Sequence, residues 1–242
     1  MSATVAFILE QLKTVDDERE RRASTPELSL AVNDLKTFQQ RRFAHTYADL
    51  LISARYGAAA RFFLDELYGP SDFSHRDAQF ARVVPALVRL FPNEIVETVA
   101  ALAELHALSE RLDTAMAEQL NPGQITATDY IRAWQATGRE PDRLAQIKLT
   151  LAVATRLDRF TRKPLLRNSL RLMRGPARAS GLGELQRFLE AGFDTFRAMS
   201  GAHEFIATVD ARERALASAL FAPGASDGSG GPAAARALAS LP

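Results

Sequence analysis

The 242-residue chain is 47% hydrophobic and 24% charged, a composition that supports a large buried core in a globular domain without covalent staples. It contains no cysteine, which excludes disulfides, thiolate metal sites and cysteine nucleophiles and fits a reducing compartment. The net charge of +1 conceals a split: residues 156–178 hold eight basic side chains against Asp158 alone, a net of +7, which leaves −6 for the remainder.

Apolar residues recur with helical spacing along almost the whole chain. Val5, Ile8, Leu9, Leu12 and Val15 define a first amphipathic helix that runs into the charged stretch DDERERR. Its start, MSATVAFILEQLK, lacks a basic leader region, so no secretory signal is expected. Ser24-Thr25-Pro26-Glu27 opens a second helix. Its stripe of Leu28, Val32, Leu35, Phe43, Tyr47, Leu50, Leu51 and Ala54 either continues through Gly57 or kinks there. Ser74 and Asp77 resemble a capping box at the start of a third, with Phe80, Val83, Val84, Leu87 and Phe91 behind it and Pro85 as a kink. A fourth runs from Pro92 to about Leu120, and a short fifth carries Trp134 and closes at Gly138. The sixth, from Pro141, has a nearly all-apolar middle, Ile147–Ala154, that reads as central and buried. Pro164 opens the seventh, which ends at Gly175-Pro176; Leu182–Met199 and Phe205–Leu220 complete the set. From Pro223 to Pro242 the chain is dominated by Ala, Gly, Ser and Pro, and a disordered tail is expected. There are no alternating β-branched runs. The expectation is an all-α fold: a single multi-helix bundle of eight or nine helices over residues 1–222, with a flexible tail over 223–242.

The densest stretch is FFLDELYGPSDFSHRDAQF, Phe62–Phe80. Phe62, Phe63 and Leu67 share a helical face, Gly69-Pro70 ends the helix, and Tyr68 can bury its ring while bonding across the turn. Arg76 and Asp77 interrupt the apolar line Phe73–Phe80–Val84–Leu87, and Arg212 and Glu213 interrupt Val209–Leu216–Leu220. Charges on an apolar face need partners. Two readings stay open. One is a structural ion pair joining the two helices, with Asp77 and Arg212 as its main members. The other is a polar pocket of Arg76, Asp77, Arg212, Glu213 and Tyr68, with carboxylates set for ligand binding or acid–base work.

The same stretch resembles an uncharacterised group of bacterial all-helical proteins that share a Phe-Phe-Leu…Leu-Tyr-Gly-Pro…Arg-Asp segment. The resemblance covers about Phe62–Leu90 and, more weakly, GFDTFRAMSGA at Gly192–Ala202. It implies a helical bacterial protein and carries no activity.

The four histidines show neither the Glu-x-x-His nor the His-Glu-x-x-His spacing, and no metal or cofactor is expected. His106, beside the stripe Val99, Leu102, Leu105, Leu112, Met116, is a weak candidate haem ligand; the plainer reading is a boundary histidine with Glu110 one turn on. Phosphate-binding loops, dinucleotide fingerprints and nucleophile elbows are absent from the sequence. Lys163, Arg167, Arg171 and Arg174 step by three and four and line one helix face. They form either an anion-binding surface for an acidic or nucleic-acid partner or a solvated face paired with the acidic remainder. No run of eighteen uncharged apolar residues marks a membrane span, and a cytoplasmic location is expected. The favoured function is a non-enzymatic binding or regulatory module working through helical surfaces. An enzyme or ligand-binding protein with a polar pocket and a nucleic-acid binder are the alternatives. Substrate, partner and oligomeric state are not encoded in any motif of the chain.

Overall fold

The computed structural model describes residues 2–66, 70, 71, 73–226, 229 and 231–242. Among the described residues there are thirteen helices and no strand. They are α1 (Ala3–Ala23), α2 (Pro26–Thr46), α3 (Ala48–Leu51), α4 (Gly57–Glu66), α5 (Ser74–Leu90), α6 (Asn93–Ala117), α7 (Ala127–Thr137), α8 (Glu140–Thr161), α9 (Pro164–Leu172), α10 (Arg174–Ala179), α11 (Gly183–Ala198), α12 (His203–Leu220) and α13 (Gly231–Ala239). The all-α expectation holds, with four helices more than the nine anticipated.

Two of the four come from the stretch after α2, which breaks after Thr46 and again after Leu51. Tertiary contacts set these breaks. Gly57 lies so close to the end of α3 that a Cβ there would sit 2.8 Å from the Leu51 carbonyl oxygen. Arg61 Nη1 donates to that same oxygen at 2.8 Å. The third extra helix is α10: Pro176 falls in its first turn, where no backbone N–H is needed, so Gly175-Pro176 starts a helix rather than ending one. The fourth is α13, in the segment expected as structureless. Ala237 and Leu241 are buried there against the main core. The capping box expected at Ser74 is not formed. Phe73 is the N-cap residue, without a side-chain cap, and Ser74 is already inside α5. Leu67, Tyr68 and Gly69 lie outside the described residues.

Helix α1 starts at Ser2, whose hydroxyl accepts from the Val5 amide at 3.3 Å. It lies along α6, and α5 covers its other side, which buries Val5, Ile8 and Leu12 with Val84 and Ala103. A second apolar cluster joins Phe43, Tyr47 and Leu50 to Ala59, Phe196, Met199 and Phe205 from α4, α11 and α12. The third and largest packs Val32, Leu35 and Phe38 of α2 against Met116, Tyr130, Ile131, Trp134, Leu216 and Leu220. Helix α8 touches α6, α9, α11 and α12, but its apolar middle is less buried than expected: within Ile147–Ala154 only Val153 and Ala154 are fully buried, and α6, which touches α1, α2, α5, α7 and α8, is the more central helix.

Candidate interaction surface

The charges that interrupt apolar stripes all find partners, but Asp77 and Arg212 do not find each other. Asp77 Oδ2 accepts from Arg19 Nη2 at 2.6 Å and from His106 Nε2 at 3.0 Å, so α1, α5 and α6 meet at one carboxylate. Burial pushes the Asp77 carboxyl up, and His106 and Arg19 overcome it, holding the group below its ordinary range. Arg76 is buried with its guanidinium between the rings of Phe73 and Phe188, 4.2 and 4.1 Å from their centroids. Its Nη1 lies 3.3 Å from Glu66 Oε2. Arg212 instead grips Asp49 with two bonds of 2.7 Å and donates to the Thr46 carbonyl. Its hydrogen bonds bring the Asp49 carboxyl down to about 2. Glu213 accepts from Arg42 at 2.5 Å and from the Tyr47 hydroxyl at 2.7 Å. The separation is topological: α5 lies against α1, α6 and α11, whereas α12 lies against α7, α8 and α13. The five residues therefore form no common pocket among the described residues, and Tyr68 lies outside them.

The basic stripe behaves differently. Lys163 donates to Glu94 at 2.9 Å, Arg167 to Asp194 at 2.8 Å and Arg174 to Glu190 at 2.7 Å, so α9 and α10 are stitched to α6 and α11 by charge. Arg171 is exposed between them. Beside Arg171 stand three large apolar side chains in open water: Leu165, 80% exposed, Leu172, 78%, and Met173, 51%. Leu165 and Leu172 are two turns apart and share the outer face of α9, with Met173 just past its end. Leu166 and Leu170 turn the other way and are half-buried. The Lys163–Glu94 bond also ties the start of α9 to the start of α6, next to the α5–α6 corner where Leu90 and Phe91 are exposed.

Residues 18–227 match a family described as a domain of unknown function, DUF8198. The chain belongs to that family. No curated protein and no solved structure gives a match. The DUF8198 stretch runs from the later part of α1 through α12, so it includes every charge described above and the α9 surface.

The DUF8198 core also holds a polar system that the sequence reading missed. Glu110 of α6 is buried, and both Arg22 of α1 and Lys36 of α2 donate to it, the latter at 2.9 Å. Burial pushes its carboxyl up; Lys36 and Arg22 together overcome this and hold it at about 2. One turn on, Asp113 receives a bond of 3.0 Å from Gln39, and burial, unmatched by Lys36 and reinforced by Glu110, pushes its carboxyl up. Arg143 of α8 is buried with its guanidinium 4.0 Å from the Trp134 ring centroid. The available signal was the set Lys36, Gln39 and Arg42, polar at steps of three beside the apolar Leu35, Phe38 and Phe43. Among the described residues no three His, Asp or Glu side chains converge as metal ligands, and no helix is long and apolar enough to cross a membrane.

Asp113 gives a prediction with an inverted sign. Its folded carboxyl titrates above the ordinary range, so its ionised form costs stability once the pH exceeds the folded value, and nothing below the unfolded value. Asp113→Asn keeps an acceptor for Gln39 and should raise the melting midpoint by a few degrees at pH 7. The gain should vanish in melts near pH 3. A lower midpoint at pH 7 would show that the carboxylate is needed as a counter-charge.

Proposed function

We propose that this chain is a non-enzymatic binding module that docks an acidic, apolar helical segment of a protein partner on the outer face of α9. The observation that carries the reading is the exposure of Leu165, Leu172 and Met173 around Arg171. Isolated surface leucines are ordinary, but a clustered set rimmed by charged and polar side chains is the pattern of an interaction site. The apolar side chains call for leucine-like residues, and the exposed Arg171 calls for a carboxylate beside them. Lys163, Arg167 and Arg174 already hold Glu94, Asp194 and Glu190, which leaves the +7 segment less suited to a phosphate backbone than its composition suggests. Aromatic rings for base stacking are scarce there as well, with Phe160 under Lys163 as the nearby example. The same reading places the chain in the cytoplasm of a bacterium, in keeping with the absence of cysteine and the resemblance of Phe62–Leu90.

The test is a titration with a labelled amphipathic peptide bearing leucine on one face and glutamate on the other. Saturable binding is expected, weakened at least tenfold by Leu165→Ser with Leu172→Ser and by Arg171→Glu, with helical content unchanged. Equal binding of a lysine-for-glutamate peptide would overturn the reading. So would tighter binding to single-stranded RNA or phosphatidylserine vesicles, or indifference to the three substitutions.

A further inference from the structure

We propose that the junction of α8, α11 and α12 is a binding site for a small phosphate monoester, distinct from the outer face of α9. A cavity of about 330 Å³ opens there, at the lower end of the size range of small-molecule sites. Arg162 lines it from the end of α8, Phe196 and Arg197 from the last turn of α11, and Ser200 and Gly201 from the turn into α12. Arg162 belongs to the basic segment of the sequence but not to its stripe, and Arg197 lies outside that segment. The fold brings the two together.

The acceptors of this junction are already engaged. Asp158 Oδ1 accepts from the Ala202 amide at 2.9 Å, and Oδ2 accepts from Arg162 Nη2 at 2.6 Å. Its carboxylate thus ties α8 to the start of α12 and holds Arg162 in place. Arg55 occupies the carbonyls of the turn, donating from Nε to Met199 at 2.8 Å and from Nη2 to Gly201 at 3.0 Å. The donors are not engaged to the same degree. The Arg197 side chain is exposed and has neither a carboxylate nor a hydrogen-bond partner among the described residues, and the same holds for the Ser200 hydroxyl. Arg162 has one of its five N–H groups in a described bond to a side chain. Gly201, at φ +112, keeps the space beside that guanidinium clear: a Cβ there would stand 3.5 Å from Arg162 Nη2. With two guanidiniums against one carboxylate, the lining carries a net charge of +1 and calls for an anion. Three open donor groups, Arg162, Arg197 and Ser200, match the three terminal oxygens of a phosphate monoester better than the two of a carboxylate. Phe196 is the apolar part of the lining and suits a short carbon skeleton.

Calorimetric titration of the full-length chain with glycerol 3-phosphate at low ionic strength tests the site. Saturable one-to-one binding is expected, with inorganic phosphate and glycerate, the carboxylate of the same carbon count, each at least tenfold weaker. Arg197→Gln should weaken glycerol 3-phosphate binding at least tenfold and leave the melting midpoint in place, because the Arg197 side chain holds no other described group. Ser200→Gly should weaken binding several-fold and keep the fold, since φ at Ser200 is 53°, a conformation that glycine adopts freely. No saturable binding up to about 10 mM would overturn the proposal, as would equal affinity for glycerate or inorganic phosphate, or indifference to Arg197→Gln. Tighter binding to phosphatidic acid vesicles, which carry the same monoester on a membrane, would overturn it as well.

Discussion

Replacing Glu110 by glutamine is expected to lower stability by about 3–5 kcal/mol, the range for removing one partner from a buried ion pair. For a domain of this size that is a drop on the order of 10 °C in melting midpoint. The magnitude follows from the asymmetry of the site. Glu110 is buried and serves two cations, Arg22 and Lys36, and Arg22 is itself buried. Without the carboxylate, Arg22 has no water to turn to. The titration of Glu110 gives a consistent figure: a fall from the ordinary 4.5 to about 2 corresponds to about 3 kcal/mol by linkage. Because the folded value is the lower one, this contribution is complete above pH 4.5 and is lost as the pH falls through the interval to 2. The difference between wild type and Glu110→Gln should therefore be full at pH 7 and shrink steadily in denaturant melts between pH 4.5 and 2. A difference that is constant with pH would mean that packing, not charge, is what glutamine disturbs.

Asp77→Ala should cost about 2–3 kcal/mol, the scale of a hydrogen bond to a charged group. It removes the shared acceptor of Arg19 and His106. The cost stays below that at Glu110 because the Arg19 and His106 side chains keep 22% and 26% of their surface and can rehydrate. Double-mutant cycles separate the partners. Asp77→Ala with Arg19→Ala should be strongly non-additive, whereas Asp77→Ala with Arg212→Ala should add to within about 0.5 kcal/mol. A coupling energy above that value for the second pair would mean that α5 and α12 communicate in a way the packing does not provide.

The helices are legible in the sequence because their apolar spacing is a local property. Val5, Ile8, Leu12 and Val15 share a face in any helix that contains them, and all four are buried. The breaks on either side of α3 are not local. Before α3, Arg212 donates to the Thr46 carbonyl at 2.8 Å, and after it Arg55 reaches the carbonyls of Met199 and Gly201 at 2.8 and 3.0 Å across some 145 residues of chain. The need of Asp77, Arg76, Arg212 and Glu213 for partners is also legible, since a charge on an apolar stripe announces a cost. The identity of each partner is not, because a stripe fixes a direction on one helix and says nothing about which helix it meets. The α9 surface is hidden for a related reason: with leucines at 165, 166, 170 and 172, both faces of that helix look apolar, and only packing decides that Leu166 and Leu170 go inward. The helix in the tail was obscured by composition, since an alanine-rich stretch between glycines and prolines reads equally as a linker.

The bond between Arg42 and Glu213 spans 171 residues of sequence. During synthesis at 5–20 residues per second, the carboxylate emerges on the order of ten to thirty seconds after the guanidinium it will neutralise. Over that interval α2 carries Phe38, Phe43 and Arg42 with their final neighbours on α7, α8 and α12 still to be made, and α1 waits in the same way for α6. Long-range closure of this kind makes folding slow for an all-helical chain and leaves aromatic surface open on the ribosome. Substitutions in α12 that barely alter the finished fold are then expected to slow its refolding from denaturant.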